Sequence, residues 1–295
     1  MQKIVPHLWF DKEAKEAVEF YVSLFDDSRI LNVNVMKNTP SGDAELVSFE
    51  LAGLQFQAIS AGPYFTFNAS ISLMVTCDSV EAVNTLWNAL SDGGTELMPL
   101  GEYPFNKRYG WVQDRYGLTW QVMLVDNEQI TQMITPNLLF SGNSCGKAEE
   151  AIVYYTEIFS NSEIAIISKY GPQETANPKA KVNYAAFKLD GINFSAMDNG
   201  TNAKFNFNEA FSFIVNCKDQ SEIDYFWDKL SAVPEAEQCG WVKDQFGVSW
   251  QIIPENMEEI LNKGSKEEIE KVQQELLKMK KIDIATLDKA RLDIG

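Results

Sequence analysis

An internal repeat is the feature that most constrains how this chain can fold. The stretch YGWVQDRYGLTWQ (residues 109–121) returns as CGWVKDQFGVSWQ (residues 239–251), with Gly, Trp, Val, Asp, Gly, Trp and Gln at matching places. Self-similarity at a fixed period is the sequence signature of a duplicated structural unit. We therefore expect two copies of one architecture in this chain.

The similarity extends over most of both halves and keeps the same order. It predicts two domains of ordinary size, residues 1–127 and 136–254. A polar linker closed by Pro136 separates them, and a tail of residues 255–295 follows the second copy only. The other matched pairs are VPHLWF with TPNLLF, FELAGLQFQAISAG with FKLDGINFSAMDNG, FTFNASISLMVTC with FNFNEAFSFIVNC, and LWNALS with FWDKLS.

Composition excludes several classes of partner. Of 295 residues, 45% are hydrophobic and 23% are charged, as in a soluble globular protein. No apolar run approaches the roughly 20 residues that span a bilayer, and a net charge of −17 would repel nucleic-acid phosphates. The 4 cysteines form no CxxC pair, which favours free thiols in a reducing compartment. We therefore expect a cytoplasmic protein with no membrane or nucleic-acid partner.

Hydrophobic periodicity predicts the same element order in each copy: a strand, a helix, three strands, a helix and a closing hairpin. The dipeptides Ala52-Gly53 and Asp190-Gly191 mark a tight hairpin turn. Strands grouped with helices on one side predict the α+β class. In the first copy the predicted strands are residues 4–10, 46–51, 54–59, 71–77 and the hairpin within 111–125, and the predicted helices lie within residues 13–25 and 80–90.

Three further stretches, LWFDKEAKEAVEFYVSLFDDSRI, GPYFTFN and CGWVKDQFGVSWQI, carry a resemblance. With the element order, they resemble the PhnB-like branch of the vicinal oxygen chelate superfamily of glyoxalases, bleomycin-resistance proteins and extradiol dioxygenases. That branch is often labelled demethylubiquinone methyltransferase-like. The resemblance covers both halves. It implies tandem βαβββ modules forming paired, cup-shaped mixed sheets, with a helical C-terminal tail, in a monomer that is an intramolecular pseudo-dimer.

The glutamine that ends each copy of the motif bears on metal binding. Alternation along the last strand turns Gln121 toward the cup, and Gln251 has the same place in the second copy. In metal-binding relatives the resemblance implies a glutamate there, and a glutamine is a poorer ligand for a divalent cation. Leu46 and Tyr184 stand where such relatives often carry histidine. We therefore predict no metal and no other cofactor.

His7 is the only histidine in the chain and shares its strand face with Trp9. Three roles remain open for it: a hydrogen-bonded structural residue, a ligand contact or proton-transfer group, and a metal ligand. The hairpin alternation also sends Gln55 and Gln57 into the first cup. An alternative is that these polar residues pair across the sheet and bind nothing.

The first copy has a longer segment, residues 93–107, before the closing hairpin. We expect this segment to form a lid over the first cup, with aromatic residues near the mouth. We also expect the first cup to bind the ligand and the second to be mainly structural. The predicted ligand-binding set is His7, Trp9, Gln55, Gln57, Tyr64, Phe67, Tyr103 and Gln121, and no catalytic residue is assigned.

Two function classes follow. The first is a binding protein that holds a small, partly apolar molecule in a metal-free cup. The second is an enzyme of the glyoxalase or dioxygenase type, either metal-dependent or assisted by His7. Methyltransferase chemistry is not expected, because the sequence has no glycine-rich loop to hold a nucleoside cofactor.

The tail has its own signals. Ser265 and Glu268 form a capping-box pattern, and Ile269, Val272 and Leu276 follow at helical spacing. These residues predict an amphipathic helix. It either docks on the second copy or forms a dimer contact.

Overall fold

Both β-sheets of this protein contain strands from both repeats. The computed structural model describes residues 1–39, 42–126 and 130–292; the predicted boundary at residue 127 and the end of the tail at 293–295 lie outside the described residues. Within the described ranges, no helix is long and apolar enough to cross a membrane.

The first repeat contains the order strand, helix, three strands twice in succession. Strands β1 and β5 have the predicted bounds. The elements are β1 (Ile4–Phe10), α1 (Ala14–Val22), β2 (Arg29–Thr39), β3 (Gly42–Leu51), β4 (Leu54–Ser60), β5 (Ile71–Cys77), α2 (Val80–Ser91), β6 (Thr95–Tyr103), β7 (Asn106–Gln113) and β8 (Thr119–Leu124).

The second repeat follows the same order, except that the described residues contain no counterpart of β6. Three helices then form the tail. The elements are β9 (Ile134–Phe140), α3 (Ala148–Ile158), β10 (Glu163–Lys169), β11 (Val182–Leu189), β12 (Ile192–Asp198), β13 (Phe211–Cys217), α4 (Gln220–Leu230), β14 (Trp241–Lys243), β15 (Ser249–Pro254), α5 (Met257–Asn262), α6 (Lys266–Leu276) and α7 (Ile284–Leu292).

The strands form two mixed sheets. Sheet I has 7 strands in the order β14-β15-β13-β1-β4-β3-β2, and sheet II has 8 strands in the order β10-β11-β12-β9-β5-β8-β7-β6. The predicted α+β class, the paired mixed sheets and the helical tail are confirmed. The structure adds β2 and β6, so the βαβββ order occurs twice in the first repeat.

The two repeats are joined by reciprocal strand pairing. Strand β1 runs antiparallel to β13, with Ile4 opposite Val215, and β9 runs antiparallel to β5, with Ile134 opposite Val75. Strand β1 is equivalent to β9, and β5 is equivalent to β13, so the same pair of strands forms both junctions with the repeats interchanged. A pseudo-twofold relation produces this pattern. Each sheet therefore takes one half from each repeat.

The segment 93–107 does not form the predicted lid over the cavity that contains His7. It forms strand β6, the turn and the start of β7 in sheet II, and the Phe105 side chain at its tip is 65% exposed. Pairing between β6 and β7 shifts register several times along the hairpin, around Met98 and Gly101. These irregularities break the two-residue alternation, so the sequence pattern resembles a loop.

A buried aspartate explains much of the repeated motif. The Asp114 carboxylate accepts hydrogen bonds from the Tyr21 hydroxyl (2.8 Å) and the Trp120 indole (2.8 Å). It also accepts them from the backbone amides of Tyr116 (2.8 Å) and Leu118 (3.1 Å) in its own turn. Burial raises the pKa of Asp114, and these four hydrogen bonds oppose that rise. The carboxylate therefore ties the closing hairpin to helix α1.

The second repeat builds the same cluster. Asp244 accepts from the Tyr155 hydroxyl (2.6 Å) and the Trp250 indole (2.8 Å). The turns that carry the two aspartates close through Gly117 and Gly247, whose φ angles of 91° and 94° strain any residue with a side chain. The Asp, the second Gly and the second Trp of the repeated motif are thus accounted for by folding alone.

The tail docks on sheet I at the edge formed by β14. The backbone amides of Cys239 and Gly240 donate to the carbonyls of Met279 (2.8 Å) and Lys280 (2.7 Å). In the first repeat, β6 covers the equivalent edge by pairing with β7. The tail therefore occupies the place of a missing edge strand.

Helix α6 begins at the predicted capping box, in which Ser265 and Glu268 bond each other's backbone amides. It buries Val272 and Leu276 against the body of the protein. Docking accounts for this apolar face. A dimer contact through the tail stays a prediction.

Asp114→Asn should lower the free energy of unfolding by about 2–3 kcal/mol, because an amide places two N–H groups among four donors. Urea denaturation measures the change. Asp228→Asn is the matched control; Asp228 is exposed, and we expect a change within about 0.5 kcal/mol. Equal stability of Asp114→Asn and the wild-type chain would contradict the structural role of this carboxylate.

Candidate ligand-binding site

A cavity of about 700 Å³ lies between sheet I and the tail helices. Its floor comes from three strands of the sheet, through His7, Gln57 and Gln251. Part of its wall comes from the tail, through Leu261 and Leu276. The cavity therefore depends on both repeats and on the tail.

The predicted ligand-binding residues are divided by the structure. His7, Trp9, Gln57 and Tyr64 line the large cavity. Gln55 lines a smaller cavity of about 410 Å³, which adjoins the first along β4.

The structure does not bring the remaining predicted residues to this site. Gln121 on β8 and Tyr103 on β6 belong to sheet II, whereas His7 belongs to sheet I. The physical reason is the exchange of strands, which joins β1 to β13 of the other repeat. Phe67 is buried in the core, where its ring packs on that of Phe10 with centroids 5.1 Å apart.

His7 lies on the floor of the cavity and is almost fully buried. Its Nδ1 atom is 3.3 Å from Ser212 Oγ, and its ring contacts the edge of Trp241 with centroids 5.5 Å apart. Burial lowers the pKa of His7 to about 3. The imidazole is therefore neutral throughout the physiological pH range.

The amides beside His7 have free hydrogen-bonding groups. Gln251 Nε2 donates to Ser212 Oγ (3.0 Å). In the described part of the chain, Gln251 Oε1 and the Gln57 amide have no hydrogen-bond partner, and both residues line the cavity. These groups are available to a bound molecule.

Aromatic rings form one side of the cavity. The ring of Trp9 lies 5.1 Å from that of Phe65, 6.1 Å from that of Trp241 and 6.5 Å from that of Tyr64, all in edge-on arrangements. The Trp9 indole donates to the Gly62 carbonyl (2.8 Å), which fixes its orientation. This corner offers a rigid, largely apolar surface.

Sheet II contains the equivalent floor, but there the polar groups satisfy one another. Gln121 Nε2 donates to Ser72 Oγ (2.7 Å), and the Tyr109 hydroxyl donates to Gln121 Oε1 (2.7 Å). Asn137, the counterpart of His7, accepts from the Ser195 hydroxyl (2.9 Å). The polar floor of sheet II is thus closed by its own side chains.

One substitution between the repeats contributes to this difference. The motif position held by Tyr109 in the first copy is held by Cys239 in the second. The smaller thiol cannot reach across to Gln251, so Gln251 Oε1 stays free and the volume of the ring stays empty. Cys239 itself lines the cavity.

A family model described as 3-demethylubiquinone-9 3-methyltransferase matches residues 2–123 and 132–253. The chain belongs to this family. The predicted resemblance to the branch labelled demethylubiquinone methyltransferase-like is confirmed by this match. A solved structure from Bacillus cereus, described as a putative 3-demethylubiquinone-9 3-methyltransferase, PhnB protein, is similar to part of the chain. It is 40% identical and covers 42% of this chain and 100% of its own, with a TM-score of 0.40.

Glyoxalase I from Zea mays matches across both repeats. It is 10% identical and covers 86% of this chain and 94% of its own, with a TM-score of 0.52. This match shows the glyoxalase-like fold. No curated protein sequence matches the chain significantly.

The resemblance to the vicinal oxygen chelate superfamily implies a divalent metal in the cup of its metal-binding members, and the donor set of this cavity does not fit one. The floor offers one neutral imidazole, His7, beside the Gln57 and Gln251 amides and the Ser212 hydroxyl. Divalent cations are held chiefly by several carboxylates, imidazoles or thiolates. Within residues 1–39, 42–126 and 130–292, no group of 3 or more His, Cys, Asp or Glu could hold a metal ion.

Several cavity residues escaped prediction. Trp241 and Ser212 belong to the second repeat, and the sequence gives no sign that this repeat completes the first cup. Trp241 had one usable signal, its place in the repeated motif two residues after Cys239. The tail residues that line the cavity, such as Leu276, follow a helical pattern that predicts only a buried face.

The imidazole of His7 should show no titration midpoint between about pH 5 and pH 8, because its pKa is about 3. NMR of the imidazole resonances measures this without overlap, since no other histidine is present. A folded pKa below the unfolded value means that the unfolded chain takes up the proton first as the pH falls. Stability should therefore decrease from pH 6.5 toward pH 3, by at most about 1.4 kcal/mol per pH unit. A midpoint above pH 6 would contradict the burial of this ring.

Ni²⁺, Zn²⁺ or Mn²⁺ should change the Tm by less than about 1 °C relative to chelator, because the cavity lacks the donors to bind them. A specifically bound metal at saturation would instead stabilise the fold by several kcal/mol. A thermal-shift assay and metal analysis after dialysis make the test. One equivalent of retained metal that is lost in His7→Ala would show that the donor set does bind a cation.

Proposed function

We propose that this protein binds a small, largely apolar molecule in the cavity of sheet I without a metal ion. The observation that carries the proposal is the contrast between the two floors. Sheet I leaves Gln251 Oε1 and the Gln57 amide free in a cavity of about 700 Å³, while Tyr109 closes the equivalent floor of sheet II. A few convergent polar groups in an apolar cavity are typical of small-molecule sites, which measure about 300–1,000 Å³.

The polar floor would orient the ligand. Ser212 Oγ accepts a hydrogen bond from Gln251 Nε2, so the Ser212 hydroxyl is free to donate a hydrogen bond to His7 Nδ1. The neutral imidazole would then present its Nε2–H to the cavity as a donor. The protein would thus offer His7 Nε2–H as a donor and Gln251 Oε1 as an acceptor, and the bound molecule would supply the complementary acceptor and donor.

Binding is favoured over the enzymatic alternative by the state of His7. A histidine with a pKa of about 3 is unprotonated at neutral pH and is a weak base, so it is poorly matched to general acid–base catalysis. The neutral amides around it are poor ligands for a metal ion that could act as a Lewis acid. For the methyltransferase named in the family description, the sequence has no glycine-rich loop for a nucleoside cofactor.

The organisation of the chain suits a self-contained binding protein. Because both repeats lie on one chain, the cup needs no second subunit to be complete, and we propose a monomer. We also propose a cytoplasmic location, since Cys77, Cys145, Cys217 and Cys239 are free thiols.

The neutral fluorescent probe N-phenyl-1-naphthylamine should bind with a stoichiometry of one per chain. Trp241→Ala should weaken its binding about tenfold, because loss of one aromatic contact surface costs on the order of 1–2 kcal/mol. Fluorescence titration measures both affinities.

Trp111→Ala is the matched control, since Trp111 holds the equivalent position in sheet II. Its affinity for the probe should equal that of the wild-type chain. A probe affinity that responds to Trp111→Ala and ignores Trp241→Ala would place the binding site on the other sheet and reject the proposal.

A further inference from the structure

The charges around the cavity of sheet I have a single sign. The ionised side chains that line it are the carboxylates of Glu209, Glu235 and Glu258, and no described lysine or arginine lines it. His7 is neutral, so it adds no positive charge. The whole chain has a net charge of −17, so the surrounding field has the same sign.

The three carboxylates differ in how far they are compensated. Glu209 forms an ion pair with Lys243 (2.6 Å). Glu258 accepts only a neutral hydrogen bond, from Asn34 Nδ2 (3.0 Å). Glu235 has no ion-pair or hydrogen-bond partner among the described residues. Negative charge therefore remains available at the mouth of the cavity.

Two of these carboxylates belong to segments whose backbone is bonded to, or leads into, the aromatic corner. Glu209 precedes Ala210, whose carbonyl accepts the backbone amide of Trp9 (2.8 Å). Glu235 lies in the short segment that leads into Trp241, where Gln238 and Trp241 exchange backbone hydrogen bonds of 3.2 Å and 2.8 Å. Indole faces carry negative electrostatic potential and attract cations. The carboxylates and the indole faces therefore both favour a cation in this cavity.

An independent feature marks the cavity as a ligand site. Gln251 is 8% exposed, its Oε1 has no partner in the described part of the chain, and it lines the same cavity. An acceptor oxygen that is open to the cavity and has no donor in the protein takes its hydrogen bond from a ligand or from water. An ammonium N–H, or the polarised C–H groups of a quaternary ammonium, can approach such an oxygen favourably, whereas an anion cannot.

We propose that the ligand of this cavity is a lipophilic organic cation, a primary to quaternary ammonium attached to an apolar or aromatic body. The cationic group lies against Trp9 and Trp241 near Glu235, and the apolar body extends between the sheet and the tail. Phosphates, phosphonates and carboxylates are rejected, because they would face the carboxylates of Glu235 and Glu258, which have no cationic partner among the described residues. This inference rests on the proposed binding function.

Three probes with one shared ring system test the sign of the charge: (2-naphthylmethyl)trimethylammonium, 2-naphthalenemethanol and 2-naphthylmethanesulfonate. Isothermal titration calorimetry at about 0.15 M salt, which screens the long-range field, measures each affinity. We expect the cation to bind at least about tenfold more tightly than the sulfonate, with the alcohol between them. Trp241→Ala should reduce the preference for the cation, because one of the two indole faces is lost while the carboxylates remain.

Glu235→Gln should reduce the ratio of cation to sulfonate affinity about two- to fivefold, as expected for one partly exposed charge. Glu96→Gln is the control, because Glu96 is an exposed carboxylate on β6 of sheet II. It removes the same net charge and should leave the ratio unchanged.

The outcomes separate this inference from the proposed function. If the alcohol binds in a Trp241-dependent way and the cation binds no better than the sulfonate, the charge preference is overturned and the binding function stands. If the cation binds equally well to Trp241→Ala, net charge rather than the cavity attracts it, and the inference fails. If none of the three probes binds, both proposals are overturned.

Discussion

The exchange of strands between the two repeats is the constraint on which the rest of the structure depends. Strand β1 finds its antiparallel partner in β13, and β9 finds the equivalent partner in β5. Without these two pairings each sheet would stop at its middle strand and expose an edge there. The cavity of sheet I has His7 on one side of this junction and Gln251 on the other, so the site exists only because the halves interlock.

Duplication within one chain gives two cups that can differ. The framework is preserved in both repeats, since Asp114 and Asp244 make the same contacts to a tyrosine and a tryptophan. The floors have diverged: one ends in a tyrosine that fills the space, the other in a cysteine that does not. A homodimer of a single repeat would carry two identical cups, so the asymmetry is available only to a tandem chain.

Local patterns in the sequence predicted local structure correctly. The features that were not predicted depend on contacts between residues far apart in the sequence. Alternation gave β1 and β5 with their observed bounds, and it turned His7 and Trp9 toward the cup. Strand β2 alternates Val33 and Val35 with Asn32 and Asn34, but its valines are 39% and 44% exposed. This edge strand therefore lacks the buried apolar face by which alternation predicts a strand. Gln121 was assigned the correct face and the wrong neighbours, because alternation says nothing about which strand lies alongside. The tail residues reach the cavity because the tail docks on sheet I, and hydrophobic periodicity does not predict where a helix docks.

The pairing of Ile4 with Val215 also has a consequence for synthesis on the ribosome. The first repeat emerges with β1 and β5 each lacking an antiparallel partner, and neither gains one until β9 and β13 have been made. Contacts so distant in sequence form slowly, because the loop between them must close first. The nascent first repeat is therefore a half-finished pair of sheets, exposed to wrong partners until the second repeat arrives.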